Sequence, residues 1–352
     1  MYSSTSTTLL DSALPVAITM GDPAGIGPEI ILKAFAQSPE LTHACCVVGA
    51  LPTLQKQLSL LAPLLPRHLE CLLITDLAQV GQSLEYQMPV IQCGDSAQIA
   101  MGQISAQAGA MAAAAISAAT AAALTGKVAA LVTAPVNKKA LQLSGVEFPG
   151  HTEMLQSLAA QHLGLSISGL PVRMMLSCPG LRVVLVSIHV PLSEAISLVN
   201  FENVLQTFQV THDSWLKVHG TVPRMTVAGL NPHAGEEGLF GYEEIRFIAP
   251  AIKKAQALGM HIRGPYPPDT VFMQAHSSQG QKDTDVVIAM YHDQGLIPVK
   301  YLGLDNGVNQ TLGLPFVRTS PDHGTAFDIA GKGVANPSSL LAALKVATGQ
   351  RL

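Results

Sequence analysis

Three histidines each follow an apolar run that is typical of a buried β-strand. His189 comes directly after RVVLVSI, His233 after MTVAGLNP and His292 after DVVIAMY. Neutral imidazole is a good ligand for zinc, cobalt, nickel and iron(II), and three protein ligands leave coordination positions open for a substrate. One histidine at a strand end is more often structural than functional. The equivalent placement of all three favours a catalytic divalent-metal site over three unrelated histidines.

A second group of residues combines cations with hydrogen-bond donors. Lys300 follows HDQGLIPV, and Arg318 lies in the segment LGLPFVRTSP. Because the chain has only 20 lysines and arginines, two of them in one glycine-rich segment could hold an anion such as phosphate. Ordinary surface ion pairing explains them equally well. His151 and Thr152, in FPGHTEML, precede a helical stretch that Thr152 could simply cap.

The segment LPVAITMGDPAGIGPEI is typical of a strand, a glycine-rich loop and the start of a helix. Its glycines, at 21, 25 and 27, do not match the G-x-G-x-x-G dinucleotide fingerprint, and the lysine of a phosphate P-loop is missing. Pro28 and Glu29 suit the first turn of a helix. Backbone amides near three glycines can approach an anion. A ligand-binding loop and a tight turn without a ligand are therefore about equally favoured.

Repeated strand–loop–helix units must position all of these residues. Apolar runs of strand length occupy 15–20, 44–50 and 70–77, and the longer segments 128–141, 182–196, 225–238 and 285–298 each have the pattern of a strand, a turn and a helix. This alternation predicts an α/β protein with a largely parallel sheet. In such a sheet, polar and catalytic residues gather at the carboxyl ends of the strands.

Composition narrows the class of protein. The chain has 352 residues, more than one core usually serves, so two domains are expected. With 48% apolar and 12% charged residues, it is a well-buried globular protein. A net charge of -4 without a basic run gives no support for binding nucleic acid or a membrane surface. Five cysteines without C-x-x-C spacing, and a start without the pattern of a signal peptide, predict a cytoplasmic protein.

The longest uncharged stretch, 104–125, is long enough to cross a membrane. It is rich in alanine, which contributes little free energy of transfer into lipid. We therefore predict a helix over 107–124 that is buried or packed at a subunit interface.

Six stretches, in this order along the chain, resemble the 4-hydroxythreonine-4-phosphate dehydrogenase (PdxA) family. They are TMGDPAGIGPEI, TAPVNKKAL, FPGHTEML, GLNPHAGEEGLFGYEE, YHDQGLIPVK and GVNQTLGLPFVRTSPDHGTAFDIAGKG. The resemblance extends from about residue 14 to the C-terminus. The glycine loop is also similar to the GDGIGPE element of isocitrate and isopropylmalate dehydrogenases, whose two-domain α/β fold this family shares. The N-terminal extension and the Leu239–Phe240 stretch depart from the family pattern.

The resemblance implies a role for each candidate residue. It assigns binding of a divalent metal (zinc, cobalt or magnesium) to His189, His233 and His292. It assigns substrate binding to His151, Thr152, Lys300, Asn309 and Arg318. The candidates for proton transfer are Lys300, Asp269 and Asp293. It also implies a homodimer whose active site, at the subunit interface, draws ligands from both chains.

The reaction implied by the resemblance is the oxidation of 4-phosphohydroxy-L-threonine at C3 with NAD as hydride acceptor. The resulting 3-oxo acid loses carbon dioxide to give 3-amino-2-oxopropyl phosphate, a step of pyridoxal phosphate synthesis. A metal suits both steps, because it lowers the pKa of the hydroxyl and stabilises the enolate. Three alternatives are open: a paralogue acting on another four-carbon hydroxy-acid phosphate, a phosphate acyltransferase of the same fold, and a non-enzymatic phosphate-binding protein.

The expected division of the chain follows from the same resemblance. One α/β domain combines 14–134 with 315–352, and a second, 135–314, carries the metal-binding histidines. Residues 1–13 are expected to form a flexible extension.

Overall fold

The computed structural model describes residues 14–95, 98–148, 150–276, 283–303 and 306–350. The extension expected at residues 1–13 lies outside these ranges. The chain divides into two compact units. The first ends at Gly169 and resumes at Leu314, and the second spans Leu170–Gly313.

Twelve short β-strands occur in the described ranges. They are β1 (Val16–Thr19), β2 (Cys45–Gly49), β3 (Glu70–Ile74), β4 (Gln87–Gln92), β5 (Ala130–Thr133), β6 (Arg173–Cys178), β7 (Leu181–Leu185), β8 (Arg224–Ala228), β9 (His261–Tyr266), β10 (Val286–Ala289), β11 (Val308–Leu312) and β12 (Val317–Pro321).

The same part of the chain contains twelve α-helices. They are α1 (Gly27–Gln37), α2 (Leu41–Ala44), α3 (Leu51–Leu61), α4 (Ala106–Leu124), α5 (Lys138–Leu143), α6 (His151–Leu163), α7 (Leu192–Leu198), α8 (Phe201–His219), α9 (Ala249–Ala257), α10 (Val271–Ala275), α11 (His292–Gly303) and α12 (Ser338–Ala347).

The strands of the first unit form a parallel sheet in the order β3-β4-β2-β1-β5-β12. All four residues of β1 and all four of β5 are buried. Helices cover such strands on both faces, which is why they read as continuous apolar runs rather than alternating ones. The prediction of an α/β fold with mostly parallel strands is confirmed.

The glycine-rich loop joins β1 to α1 and packs against the backbone of the same unit. Gly21 has a φ of 75°, and a Cβ at this position would lie 2.5 Å from the carbonyl oxygen of Pro135, so only glycine fits. The Ile26 amide donates to the carbonyl oxygen of Thr325 at 3.0 Å, and Pro28 lies in the first turn of α1, as predicted. Because the amides of residues 22, 24, 25 and 26 all donate to protein oxygens, the structure favours a tight turn over an anion-binding loop.

Helix α4 is the alanine-rich helix expected from the sequence. It packs against α5 and α6, and a Cβ at Gly109 would lie 1.9 Å from the carbonyl oxygen of Ala140, so the backbones of α4 and α5 touch. Within the described ranges it is the one helix long and apolar enough to cross a membrane, and half of its apolar window is buried.

The contact between α4 and α5 also bears on the division of the chain. The expected boundary at residue 134 differs from the structure, because the first unit continues to Gly169. Helices α5 and α6 pack on α4 and belong with it. His151 and Thr152 are therefore part of the first unit, not the second.

The second unit has a mixed sheet in the order β11-β6-β7-β10-β8-β9. Strands β7, β10, β8 and β9 run parallel, whereas β11, β6 and β7 pair antiparallel. Alternate residues face opposite sides. Val184 and Ile288 join the core that includes Phe208 of α8, while Leu185 and Val287 join a core that contains residues of α10 and α11. Two covered faces leave the strand ends as the accessible part of this sheet.

Candidate active site

The three predicted metal ligands follow three neighbouring parallel strands. Strand β10 lies between β7 and β8, so their carboxyl ends meet at one edge of the sheet. His189 follows β7, His233 follows β8, and His292 begins α11 directly after the turn that ends β10. The sheet order thus brings to one edge residues that are far apart in the sequence.

His189 and His292 lie side by side. Their ring centroids are 5.7 Å apart, and both line a cleft of about 240 Å³. The Oδ1 atom of Asp293 lies 2.7 Å from Nδ1 of His292. A carboxylate on one ring nitrogen fixes the tautomer and leaves Nε2 available to bind a metal.

His233 lies on a loop with an uncommon backbone. Five consecutive residues, 233 to 237, have φ angles between 40° and 82°, and only Gly235 among them is a glycine. His189 also has a positive φ, of 51°. Left-handed backbone at non-glycine residues occurs where surrounding contacts impose it, commonly at functional sites.

A second, wider cleft of about 810 Å³ adjoins the first. His233, Asp269 and Asp293 line it, together with apolar side chains such as Met273. Tyr291 and Asp293 line both clefts. The two predicted catalytic aspartates are therefore exposed on the cleft that His233 borders.

The histidines fit part of a metal site. Within the described ranges of this single chain, no three His, Cys, Asp or Glu side chains are grouped closely enough to hold a metal ion. His189 and His292 form a facing pair backed by a carboxylate, a donor set that suits zinc or cobalt. His233 borders the neighbouring cleft, so two of the three predicted ligands are paired in one chain.

Arg318 is the centre of a different group, in the first unit. It is the second residue of β12, is only 3% exposed, and its Nη2 donates to Oγ1 of Thr133 at 2.7 Å. His151 and Thr152 begin α6, and the Nε2 atom of His151 is buried without a hydrogen-bond partner among the described residues. A buried guanidinium and an unsatisfied ring nitrogen beside a helix N-terminus are suited to an anion.

Burial controls the charges in this group. Burial, together with the positive charge of Arg318, lowers the pKa of His151 to about 3, so the imidazole is neutral at neutral pH. Burial also lowers the pKa of Arg318 to about 10, while nearby Glu153 acts in the opposite direction. The guanidinium still carries its charge at neutral pH. The group therefore presents one fixed cation and a neutral imidazole.

Two of the predicted substrate-binding residues lie in the second unit. Lys300 is exposed in the last turn of α11, and Asn309 lies on β11 opposite Leu176 of β6. Neither lines the two clefts near the histidines. The structure thus brings His151 together with Arg318, and His189 with His292, within single units.

Sequence reasoning missed Thr133 and Glu244. Thr133 ends β5, where an apolar run gave no signal of a polar contact. Glu244 is 3% exposed and accepts hydrogen bonds from the loop that carries His233. Its only signal was its place in GLFGYEE, close after that loop.

Comparison with known proteins gives a consistent result. The profile described as pyridoxal phosphate biosynthetic protein PdxA matches residues 42–347. A 4-hydroxythreonine-4-phosphate dehydrogenase from Beijerinckia indica is 46% identical over 336 residues, which is 95% of this chain and 94% of the relative. A D-threonate 4-phosphate dehydrogenase from Salmonella typhimurium is 44% identical over 337 residues, which is 94% of this chain and 97% of the relative.

A solved structure agrees with the sequence relatives. The crystal structure of a 4-hydroxythreonine-4-phosphate dehydrogenase from Klebsiella pneumoniae has a TM-score of 0.83 and 42% identity, and the match covers 96% of this chain and 100% of that one. Both the family profile and the relatives thus extend over most of the sequence. The chain belongs to the PdxA family of pyridoxal phosphate biosynthetic proteins.

Proposed function

We propose that this protein oxidises 4-phosphohydroxy-L-threonine at C3, with NAD as hydride acceptor and a divalent metal, and that the product decarboxylates to 3-amino-2-oxopropyl phosphate. The observation that carries the proposal is the placement of His189, His233 and His292 after three neighbouring parallel strands. Membership of a family with relatives named as dehydrogenases supports the reaction class.

The phosphate of the substrate binds at the start of α6. The Arg318 guanidinium, held by Thr133, supplies the positive charge, and the neutral His151 ring offers its buried Nε2 as a donor. Thr152, in the first turn of α6, adds a hydroxyl. Lys300 and Asn309 bind the remaining polar groups of the substrate. Binding energy at this remote end orients the reacting carbon.

The proposed role of the histidines in the oxidation step is to hold the divalent metal. When bound by His189, His233 and His292, a divalent metal would lower the pKa of the substrate hydroxyl, and NAD would take up the hydride. Asp293 holds the proton on Nδ1 of His292 and so directs Nε2 to the open side of the cleft. Asp269 and Lys300 are candidates for accepting the hydroxyl proton.

A second copy of the chain completes the metal site. The wide cleft beside His233 has exposed apolar walls, with Tyr301 90% exposed and Met273 71%. Leu239, on the adjoining stretch, is 73% exposed. Exposed apolar side chains grouped at one cleft are suited to contact with another protein surface. We therefore place His233 of one subunit with the facing pair of the other.

The relative named as a D-threonate 4-phosphate dehydrogenase favours a second candidate substrate. Its identity to this chain, 44%, is close to the 46% of the relative named for 4-hydroxythreonine 4-phosphate. The two compounds differ at C2, which carries an amino group in one and a hydroxyl in the other. The phosphate and the C3 hydroxyl are common to both, so the same site residues serve either substrate.

A direct assay tests the function. Purified protein with NAD and a divalent metal should reduce NAD when given 4-phosphohydroxy-L-threonine, and carbon dioxide should be released in equal amount. D-Threonate 4-phosphate and the dephosphorylated compounds complete the panel. A higher kcat/KM for D-threonate 4-phosphate would assign the second substrate. No NAD reduction with any phosphorylated compound would overturn the proposal.

A further inference from the structure

We infer that Glu244 is a positioning residue for the metal ligand His233, and that Gln294 ties the His233 loop to the turn that carries His292. This inference rests on the proposed metal site. It concerns the residues that hold the ligands, which are distinct from the ligands themselves.

Glu244 is buried beneath the loop and accepts three hydrogen bonds from it. Its Oε1 accepts from the backbone amides of Leu230 and Asn231, both at 2.8 Å, and its Oε2 accepts from Nδ2 of Asn231 at 3.0 Å. The side chain is 3% exposed. A carboxylate that replaces water on two successive amides fixes the direction in which the chain leaves β8. That direction determines where His233 lies.

The fit around this carboxylate is close. A Cβ at Gly235 would lie 2.7 Å from Oε2 of Glu244, and a Cβ at Gly229 would lie 3.1 Å from Oε1. Glu244 begins a π-helical segment, Glu244–Ile248, that leads into α9. Such segments are rare and frequently occur at functional sites. The carboxylate is thus enclosed by the loop on one side and carried on the other by the π-helical segment that leads into α9.

The backbone of the loop needs this support. Residues 233 to 237 all have left-handed φ angles, and four of these five residues are not glycine. Sparsely populated backbone conformations persist only where surrounding contacts over-determine them. The contacts of Glu244 are made at residues 230 and 231, immediately before this run. Without them, His233 would sample other positions in the wide cleft.

Gln294 connects the two ligand-bearing segments of one chain, which in the proposed dimer serve different metal sites. Its Oε1 accepts from the Met290 amide at 2.7 Å, and its Nε2 donates to the carbonyl oxygen of Gly229 at 2.8 Å. Met290 directly follows β10 and precedes His292, and Gly229 directly follows β8 and precedes His233. One amide side chain therefore fixes the His233 loop against the turn before His292, and so steadies a ligand of each of the two metal sites to which the chain contributes.

Glu243 provides a matched control. It is adjacent to Glu244, carries the same charge, and accepts only from the side chain of Asn231, at 2.7 Å, among the hydrogen bonds to this loop. It makes no bond to the loop backbone in the described residues. Neutralising Glu243 removes the same charge close to the site without releasing the amides of residues 230 and 231.

The experiment measures cobalt binding to the metal-free full-length protein by the absorption of the bound ion, in competition with a chelator. Glu244→Gln and Gln294→Met should each raise the Kd for cobalt by about 10- to 100-fold, the usual effect of removing groups that orient metal ligands. Glu243→Gln should stay within roughly 3-fold of wild type, since it leaves the hydrogen bonds from the amides of residues 230 and 231 to Glu244 in place. Thermal melting of the metal-free proteins checks that the variants remain folded.

Four outcomes decide the inference. Weakened cobalt binding in Glu244→Gln or Gln294→Met, with melting close to wild type and normal binding in Glu243→Gln, supports it. If His233→Ala weakens binding but neither of these variants does, the positioning role is overturned and the metal site stands. Equal weakening by Glu243→Gln and Glu244→Gln also overturns the role, because charge alone then explains the effect. Binding unchanged in His233→Ala overturns the metal assignment itself, and with it the inference.

Discussion

The residues around Arg318 and those around His233 differ in their burial and in the contacts that hold them in place. Arg318 and Thr133 lie on neighbouring strands and are at most 3% exposed. His189 and His233 lie on exposed loops with positive φ, and the His292 side chain is 39% exposed. Strand pairing fixes the first group before any ligand arrives. The second group depends on the contacts of its loops.

This difference matches the two roles proposed for these groups, anion binding and metal binding. The proposed anion-binding side is held in place by its own unit, because a buried guanidinium requires hydrogen-bond partners and Thr133 supplies one. The proposed metal-binding side is accessible, as it must be if a metal, a substrate and a second subunit are all to reach it. Four experiments test this contrast.

Removing the metal should have the largest effect. Dialysis against a strong chelator should lower NAD reduction by at least roughly 1,000-fold, since a metal contributes several kcal/mol of charge stabilisation. Zinc, cobalt or magnesium should restore it, and circular dichroism should show an unchanged fold. Full turnover by protein that elemental analysis shows to be metal-free would contradict the proposed metal site at the histidines.

Subunit mixing should show which ligands share a chain. The rings of His189 and His292 are 5.7 Å apart in one chain, so mixed dimers of His189→Ala and His292→Ala should stay inactive. Mixed dimers of His233→Ala and His292→Ala should regain up to about half of the wild-type activity, because one of their two sites is then intact. Tagged chains and mass measurement confirm the mixing. Activity in the first pair and none in the second would reverse the assignment.

Replacing Arg318 by lysine should weaken binding of the phosphorylated substrate, although the positive charge is kept. A lysine has no guanidinium fork, so its ammonium cannot donate to Thr133 and also bind two phosphate oxygens side by side. We expect KM for the phosphorylated substrate to rise by about 10- to 100-fold. Steady-state kinetics with a dephosphorylated analogue provide the control, because there the two proteins should differ little. An equal defect with both substrates would show that Arg318 does not contact the phosphate.

The smallest effect concerns acid stability. The pKa of His151 is lowered from 6.5 to about 3 by burial and by Arg318, so between these values the unfolded chain binds more protons than the folded one. Stability from this residue is fully present above pH 6.5 and is lost as the pH falls, by about 2 kcal/mol at about pH 5. His151→Gln should remove this loss, as measured by urea unfolding at about pH 7 and about pH 5. His162→Gln, exposed on the same helix, should behave as wild type, and an unchanged acid sensitivity in His151→Gln would contradict the assignment.

Much of the fold could be predicted because its signals are local. The run VAIT is buried over its whole length in β1, and Pro28 lies in the first turn of α1, as its position after a glycine loop predicts. The position of each histidine after a strand could also be predicted, because an apolar run that ends in turn residues is a pattern of only a few positions. The boundary between the two units was harder to predict from the sequence, since the backbone contact of Gly109 with Ala140 leaves no periodic pattern.

The sequence by itself determined which residue types stand at which strand ends, because hydrophobic periodicity and turn chemistry act over short distances. Only the tertiary structure decided that β10 lies between β7 and β8 and so brings the histidine loops to one edge. It also decided that Arg318 meets Thr133, 185 residues away, and that Glu244 lies beneath the His233 loop. Strand order and buried polar contacts depend on long-range pairing, in which many segments compete for the same neighbours. No local pattern carries that information.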